Sequence, residues 1–121
     1  ACDGVTKNIA SEAVTLPYND LASLEITLSK YPKDFAGIIV EPVVGNCGVI
    51  NPQDRFLEGL RDLCKKYNMV LIFDEVMTGF RLSSGGAQVK YNITPDLTTL
   101  GKIVGGGMPL AAVGGKKEIM D

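Results

Sequence analysis

The heptapeptide Met69-Val70-Leu71-Ile72-Phe73-Asp74-Glu75 decides the fold. Five apolar residues run without alternation and then meet two acids, the pattern of a strand buried on both faces whose carboxyl end opens onto a polar edge. Upstream, Gly37-Ile38-Ile39-Val40 repeats the pattern and stops at Glu41-Pro42. Between the two runs, Phe56, Leu57, Leu60, Leu63, Cys64 and Tyr67 recur at helical spacing. Lys65 and Lys66 stand near the end of that segment, where a helix dipole favours cations. Strand, helix and strand in this order predict parallel pairing through a right-handed crossover, hence an open α/β sheet.

Working outward, Asn19-Asp20 is a natural cap, and Leu21, Leu24, Leu28 and Tyr31 predict an amphipathic helix that Pro32 stops. Residues 43–52 read as a loop, and so does the Ser- and Gly-rich stretch from Gly79 to Thr94. Asp96-Leu97-Thr98-Thr99-Leu100 predicts a further strand leading to Gly101-Lys102. Beyond Gly105-Gly106-Gly107, Leu110-Ala111-Ala112-Val113 predicts a last one.

The composition, 45% apolar and 21% charged over 121 residues, is that of a globular protein with one core. The start lacks an initiating methionine, so the reading takes residues 1–121 as a single partial domain, an internal fragment of a longer chain. A net charge of -2 gives no reason to expect nucleic acid or an anionic membrane as partner. No apolar run approaches the roughly 18 residues of a membrane span, and no signal peptide is legible, so a cytoplasmic location is expected. Cys2, Cys47 and Cys64 are too scattered for a disulfide framework or a Cys-x-x-Cys metal site. With no histidine, neither a zinc site nor a histidine-activated nucleophile is available, and no metal is expected. Catalysis must rest on carboxylates, lysines or an organic cofactor.

Glu41, Asp74 and Lys102 each fall at or just after the carboxyl end of a predicted strand, where open α/β sheets gather their ligands. Leu100, Ile103 and Val104 surround Lys102 with apolar side chains, a setting that predicts a desolvated, nucleophilic amine. An amine and a carboxylate converging on one pocket suit pyridoxal 5'-phosphate (PLP), whose aldehyde forms a Schiff base with lysine and whose ring nitrogen needs an acidic partner. A phosphate-binding loop is not supported, because Ile103 follows Gly101-Lys102 where Ser or Thr is required. A phosphoryl-receiver signalling domain also has about this length, with an aspartate at one strand end and a lysine at another. It requires an acidic pair after its first strand, however, and here only Asp3 lies near the start.

Leu71-Ile72-Phe73-Asp74-Glu75-Val76 followed by Asp96-Leu97-Thr98-Thr99-Leu100-Gly101-Lys102 resembles the signature of the class III, PLP-dependent aminotransferases of fold type I, both in its two halves and in their separation. The resemblance implies part of a large catalytic domain, a mostly parallel sheet with flanking helices. It makes Lys102 the Schiff-base lysine, Asp74 the partner of the pyridine nitrogen, Val76 an apolar contact on the ring and Asn46 a donor to the phenolic oxygen. Glu41 either faces substrate or pins its own loop. The phosphate-binding segment, the ring-stacking aromatic and the small domain are implied to lie outside this chain, and the site to form at a homodimer interface.

Within the family, residues 74–81, 85–88, 94–107, 15–21 and 40–46 are most similar to the aminomutase branch, which moves an amino group within one small amino acid aldehyde. Omega-aminotransferases that use a keto acid acceptor, the alternative, tend to carry glutamine where Met77 stands. Methionine cannot donate a hydrogen bond and Asn46 can, which favours the aminomutase branch. In a plant or alga the location implied is the plastid stroma.

Overall fold

The computed structural model describes residues 3–121, so Cys2 lies outside the described residues. In chain order the elements are α1 (Lys7–Ser11), α2 (Leu21–Lys30), β1 (Gly37–Val40), α3 (Phe56–Lys66), β2 (Val70–Asp74), α4 (Gly86–Tyr91), β3 (Leu97–Leu100), a 3-10 turn (Lys102–Gly105), β4 (Ala112–Gly115) and α5 (Lys117–Met120).

The cap expected at Asp20 forms: its carboxylate accepts the Ser23 N–H at 2.9 Å and the Ser23 hydroxyl at 2.6 Å, anchoring the first turn of α2. Such caps contribute about 1 kcal/mol. The stripe on α3 buries Phe56, Leu57, Leu60, Leu63 and Cys64 against Leu24 and Leu28 of α2 and against Leu71 and Phe73 of β2. Truncating one of these leucines to alanine would cost roughly 2–5 kcal/mol, because the helix–sheet seam is the core.

The sheet order is β1-β2-β3-β4, with the first two pairings parallel and the last antiparallel. Val40 pairs with Phe73, Phe73 with Thr98 and Asp74 with Thr99. This register sets Glu41, Asp74 and Thr99 level with one another at the carboxyl edge, on strands about 4.8 Å apart.

Four expectations need correction. Neither β1 nor β2 is buried on both faces: β2 alternates, with Leu71 and Phe73 sealed and Val70 and Ile72 half-buried, and Ile39 of β1 is 65% exposed. The core helices α2 and α3 cover one face of these strands within this chain, and the continuously apolar text cannot say which face lacks a cover. The stretch 79–94 is not all loop, since it contains α4. The last strand occupies Ala112–Gly115, two residues later than expected, and is antiparallel. Its register is set by Gly115, where a Cβ would lie 2.4 Å from the Asp96 carbonyl oxygen, and by Lys116, whose N–H donates to that oxygen at 2.9 Å. Lys102, finally, is exposed rather than desolvated. Leu100 and Val104 beside it are only half-buried, and the glycines beyond it bring no side chains to cover it.

Candidate cofactor and catalytic site

Asp74 is the last residue of β2 and is half-buried. Its Oδ1 accepts the Val76 N–H at 3.1 Å and the Thr99 hydroxyl at 3.4 Å, while Oδ2 has no protein partner among the described residues. One oxygen thus orients the carboxylate and the other stays available at the strand edge. Lys102 begins the turn after β3 with φ +50, a left-handed conformation uncommon for a residue with a side chain. Asn19, Arg55, Asn68, Phe80 and Asn92 share that conformation among the described residues, so at Lys102 it marks a tight turn at the strand end. Thr99 links the two: it pairs with Asp74 across the ladder, touches its carboxylate and precedes Lys102 by three residues. Sequence reading passed over Thr99, because a strand threonine is ordinary until the register sets it level with the acid.

Val76 and Gly101 meet at the same edge, where a Cβ on Gly101 would lie 3.2 Å from Val76 Cγ1. The β2 turn and the approach to Lys102 are therefore in near contact. On the other flank, Glu41 accepts the Gly45 N–H at 2.9 Å through one oxygen and the Asn46 side-chain amide at 2.8 Å through the other. These contacts pin the loop, one of the two roles left open for Glu41.

The loop that carries Asn46 closes through mutual hydrogen bonds of 3.0 Å between Val44 and Ile50. Gly45 sits on Met77, with a built Cβ falling 2.5 Å from the thioether methyl. Asn46 and Met77 thus belong to abutting loops. Behind them the Tyr18 hydroxyl donates to the Pro42 carbonyl at 2.9 Å, and Asn19 bridges Asn51 and Gln53. Burial, then the nearby Tyr91 and Glu41, push the Tyr18 phenol up to about 12, so it remains a donor across the working pH range.

The sequence-predicted residues therefore converge on one edge: Glu41 and Asn46 after β1, Asp74 and Val76 at and after β2, Lys102 after β3. None of them lines the cavity of about 240 Å³ bounded by Glu75, Gly79, Phe80, Gln88, Val89 and Leu100, which lies behind the turn. No group of His, Cys, Asp and Glu able to hold a metal forms among the described residues. An unspent carboxylate oxygen, an exposed primary amine and a side-chain amide around one strand edge can bind an aromatic cation, hold a carbonyl carbon and move a proton.

Comparison with known proteins agrees. Residues 4–121 match the aminotransferase class-III family. Over 118 residues, 98% of this chain and 27% of the relative, the chain is 58% identical to a glutamate-1-semialdehyde 2,1-aminomutase of Natranaerobius thermophilus. The fold is similar to that of an omega-transaminase from Sphaerobacter thermophilus, with a TM-score of 0.91 at 37% identity over 98% of this chain and 27% of that one. It is also similar to a glutamate-1-semialdehyde-aminomutase from Pseudomonas aeruginosa in complex with PMP, with a TM-score of 0.81 at 32% identity over 96% of this chain and 26% of that one. The chain spans about a quarter of the length of the curated relatives it matches. These matches leave the phosphoryl-receiver reading without support, and the chain belongs to the class III aminotransferase family.

Proposed function

We propose that this chain is an internal segment of the large catalytic domain of a PLP-dependent aminomutase, one that converts glutamate-1-semialdehyde to 5-aminolevulinate. The observation that carries the reading is the register that pairs Asp74 at the end of β2 with Thr99 of the neighbouring parallel strand, three residues before Lys102, with the Thr99 hydroxyl on the Asp74 carboxylate. The residues present fit the cofactor: Asp74 keeps Oδ2 without a protein partner among the described residues, and Lys102 is exposed at the start of the turn that follows the neighbouring strand.

Bound PLP supplies an electron sink for the carbon that loses a proton. Asp74 would hold the ring nitrogen protonated through Oδ2, with Oδ1 fixed by Val76 N–H and Thr99. Lys102 Nζ would carry the cofactor and, once released by substrate, take the proton from one carbon and return it to another. Val76 would lie against the ring and Asn46 would donate to the phenolic oxygen. Glu41 orients Asn46 through the 2.8 Å bond, a role that does not require contact with substrate.

The working protein is proposed as a homodimer acting on a small amino acid aldehyde, in the cytoplasm or in a plastid stroma. Supporting the aminomutase over a keto-acid-dependent transaminase are Met77, which offers no donor, and Asn46, which does and whose loop abuts it. The test is turnover by the full-length protein. Formation of 5-aminolevulinate from glutamate-1-semialdehyde without an added amino acceptor is expected, and strict dependence on a keto acid would overturn the assignment.

A further inference from the structure

Glu75 immediately follows Asp74 and is the most thoroughly enclosed acid among the described residues, 1% exposed. Its carboxylate faces no cation among the described residues. Instead Oε2 accepts the Thr78 hydroxyl at 2.9 Å and the Ala87 N–H at 2.5 Å, while Oε1 accepts the Gln88 N–H at 3.3 Å and the Gln88 side-chain amide at 3.1 Å. The same Gln88 amide donates to the Thr98 hydroxyl at 3.3 Å. The Glu75 N–H in turn donates to the Thr99 carbonyl at 3.0 Å. The carboxylate sits in a cradle closed by Gly86, which has φ +68 and where a Cβ would fall 2.3 Å from Oε2. A side chain there would displace the acid and would be strained besides.

These bonds form a bracket. From Glu75 one arm runs along the chain to Asp74, and the other runs through Gln88 and Thr98 into β3, the strand that leads to Lys102. The backbone bond to Thr99 ties the arms together at the level where Thr99 touches Asp74. We infer that Glu75 is a positioning residue: by fixing the β2 turn onto α4 and β3 it sets the placement of Asp74 relative to Lys102. The inference rests on the roles proposed above for those two residues. It predicts that loss of the bracket is felt at the cofactor, because reacting groups misplaced by about 1 Å lose up to about 100-fold in rate.

The test uses the full-length holoprotein and the variants Glu75→Gln and Thr98→Val. Glutamine matches the size of Glu75 but must turn an NH2 group onto one of the two donor pairs, breaking the cradle without emptying it. Valine at 98 removes only the acceptor of the Gln88 arm, leaving Glu75 on its other partners. Three quantities are read: the midpoint of the pH titration of the visible cofactor band, kcat and KM, and the melting temperature of the cofactor-free protein. For Glu75→Gln we expect a displaced titration midpoint and a kcat lowered by roughly 10- to 100-fold with KM changed by less than about 3-fold. Thr98→Val should show the same signature on a smaller scale, and it decides the matter if Glu75→Gln fails to fold. Wild-type titration and kcat in a folded variant whose melting temperature has dropped would overturn the inference, leaving Glu75 a structural anchor only. A wild-type protein that binds no PLP would instead overturn the proposed function, and this inference with it.

Discussion

Asp74 and Asp96 stand at opposite ends of the same sheet, and the contrast between them separates a carboxylate with an oxygen to spare from one wholly spent on the fold. Asp74 closes β2 at the carboxyl edge with one oxygen satisfied by Val76 and Thr99 and the other unspent. Asp96 precedes β3 at the amino edge, is 4% exposed and uses both oxygens: Oδ2 takes Arg61 and the Leu71 N–H, each at 2.7 Å, and Oδ1 takes Lys116 at 2.6 Å. A fully satisfied carboxylate holds elements together and has nothing left for a ligand. A half-satisfied one at the edge where loops converge is oriented yet free to bind.

The comparison breaks most completely if the amine beside Asp74 is not the cofactor's anchor. Replacing Lys102 with alanine in the full-length protein should lower turnover by about 10⁴-fold or more, since among the described residues no other amine stands at this edge to carry the cofactor and shuttle the proton. Borohydride reduction and peptide mapping of the wild type locate the anchor. A pyridoxyl label on Lys65, Lys66, Lys116 or Lys117, with Lys102 unmodified, would end the assignment.

Asp74→Ala comes next. The cofactor should still bind through Lys102, but the charge that keeps its ring nitrogen protonated is gone. A loss of about 10²- to 10³-fold in kcat, with KM far less affected, matches removal of a preorganised electrostatic partner. Steady-state kinetics beside the intensity of the visible band distinguish this from simple loss of cofactor.

Asp96→Asn should do the opposite, leaving kcat near wild type while lowering stability. Arg61, whose side chain is 12% exposed, would be left without its counter-charge, at a cost of up to roughly 3 kcal/mol, the lower range for breaking a buried pair. Lys116 is half-exposed and adds little. Burial opposes the charge on Asp96, but the Leu71 N–H, Lys116 and Arg61 outweigh it and hold the carboxyl down to about 2. Because the folded value lies below the ordinary aspartate value, the stabilisation is complete above about pH 4 and is lost as pH falls towards 2. The difference in melting temperature between wild type and Asp96→Asn should shrink across that window. A constant difference would show that Asp96 does not titrate as placed.

How much of this contrast could be read beforehand follows from where each signal resides. The strand–helix–strand unit was legible because its evidence is local: the α3 stripe, the Asp20 cap and two apolar runs each ending in an acid. The placement of Asp74 and Lys102 at the ends of neighbouring strands was legible for the same reason, since each closes or follows a strand-forming run. Glu75 and Asp96 were not, although each is the better-bonded member of the comparison. Apart from Thr78, three residues from Glu75, their side-chain partners lie 12 to 35 residues away, and nothing beside them in the sequence marks an acid as buried. A signal did exist for Glu75 in the Gly85-Gly86 pair, which caps and opens a six-residue helix whose first free N–H groups need an acceptor. That helix was itself read as loop, because two glycines and a short span hide its period. The burial of β1 was overestimated because an apolar run reports what a strand can tolerate rather than what covers it.

Glu41 sharpens the comparison from within the edge itself, as an acid at the carboxyl end that nevertheless spends both oxygens, on Gly45 and Asn46. By the reasoning applied to Asp96 it should orient rather than bind. Glu41→Gln would turn an amide NH2 onto one of those two donors and loosen Asn46. The expected fall in kcat is roughly tenfold, the scale of one hydrogen bond to a charged group. The decisive measurement is a double-mutant cycle with Asn46→Ala. If Glu41 acts through Asn46, the second substitution should add little to the first, because the cycle's coupling term absorbs the shared loss. If Glu41 meets the substrate directly, the two effects should add and KM for Glu41→Gln should rise by tenfold or more, as expected when a ground-state contact is removed. That outcome would place two acids rather than one in direct service of the reaction, and an acid's unspent oxygen would no longer be the mark that separates binding from support at this edge.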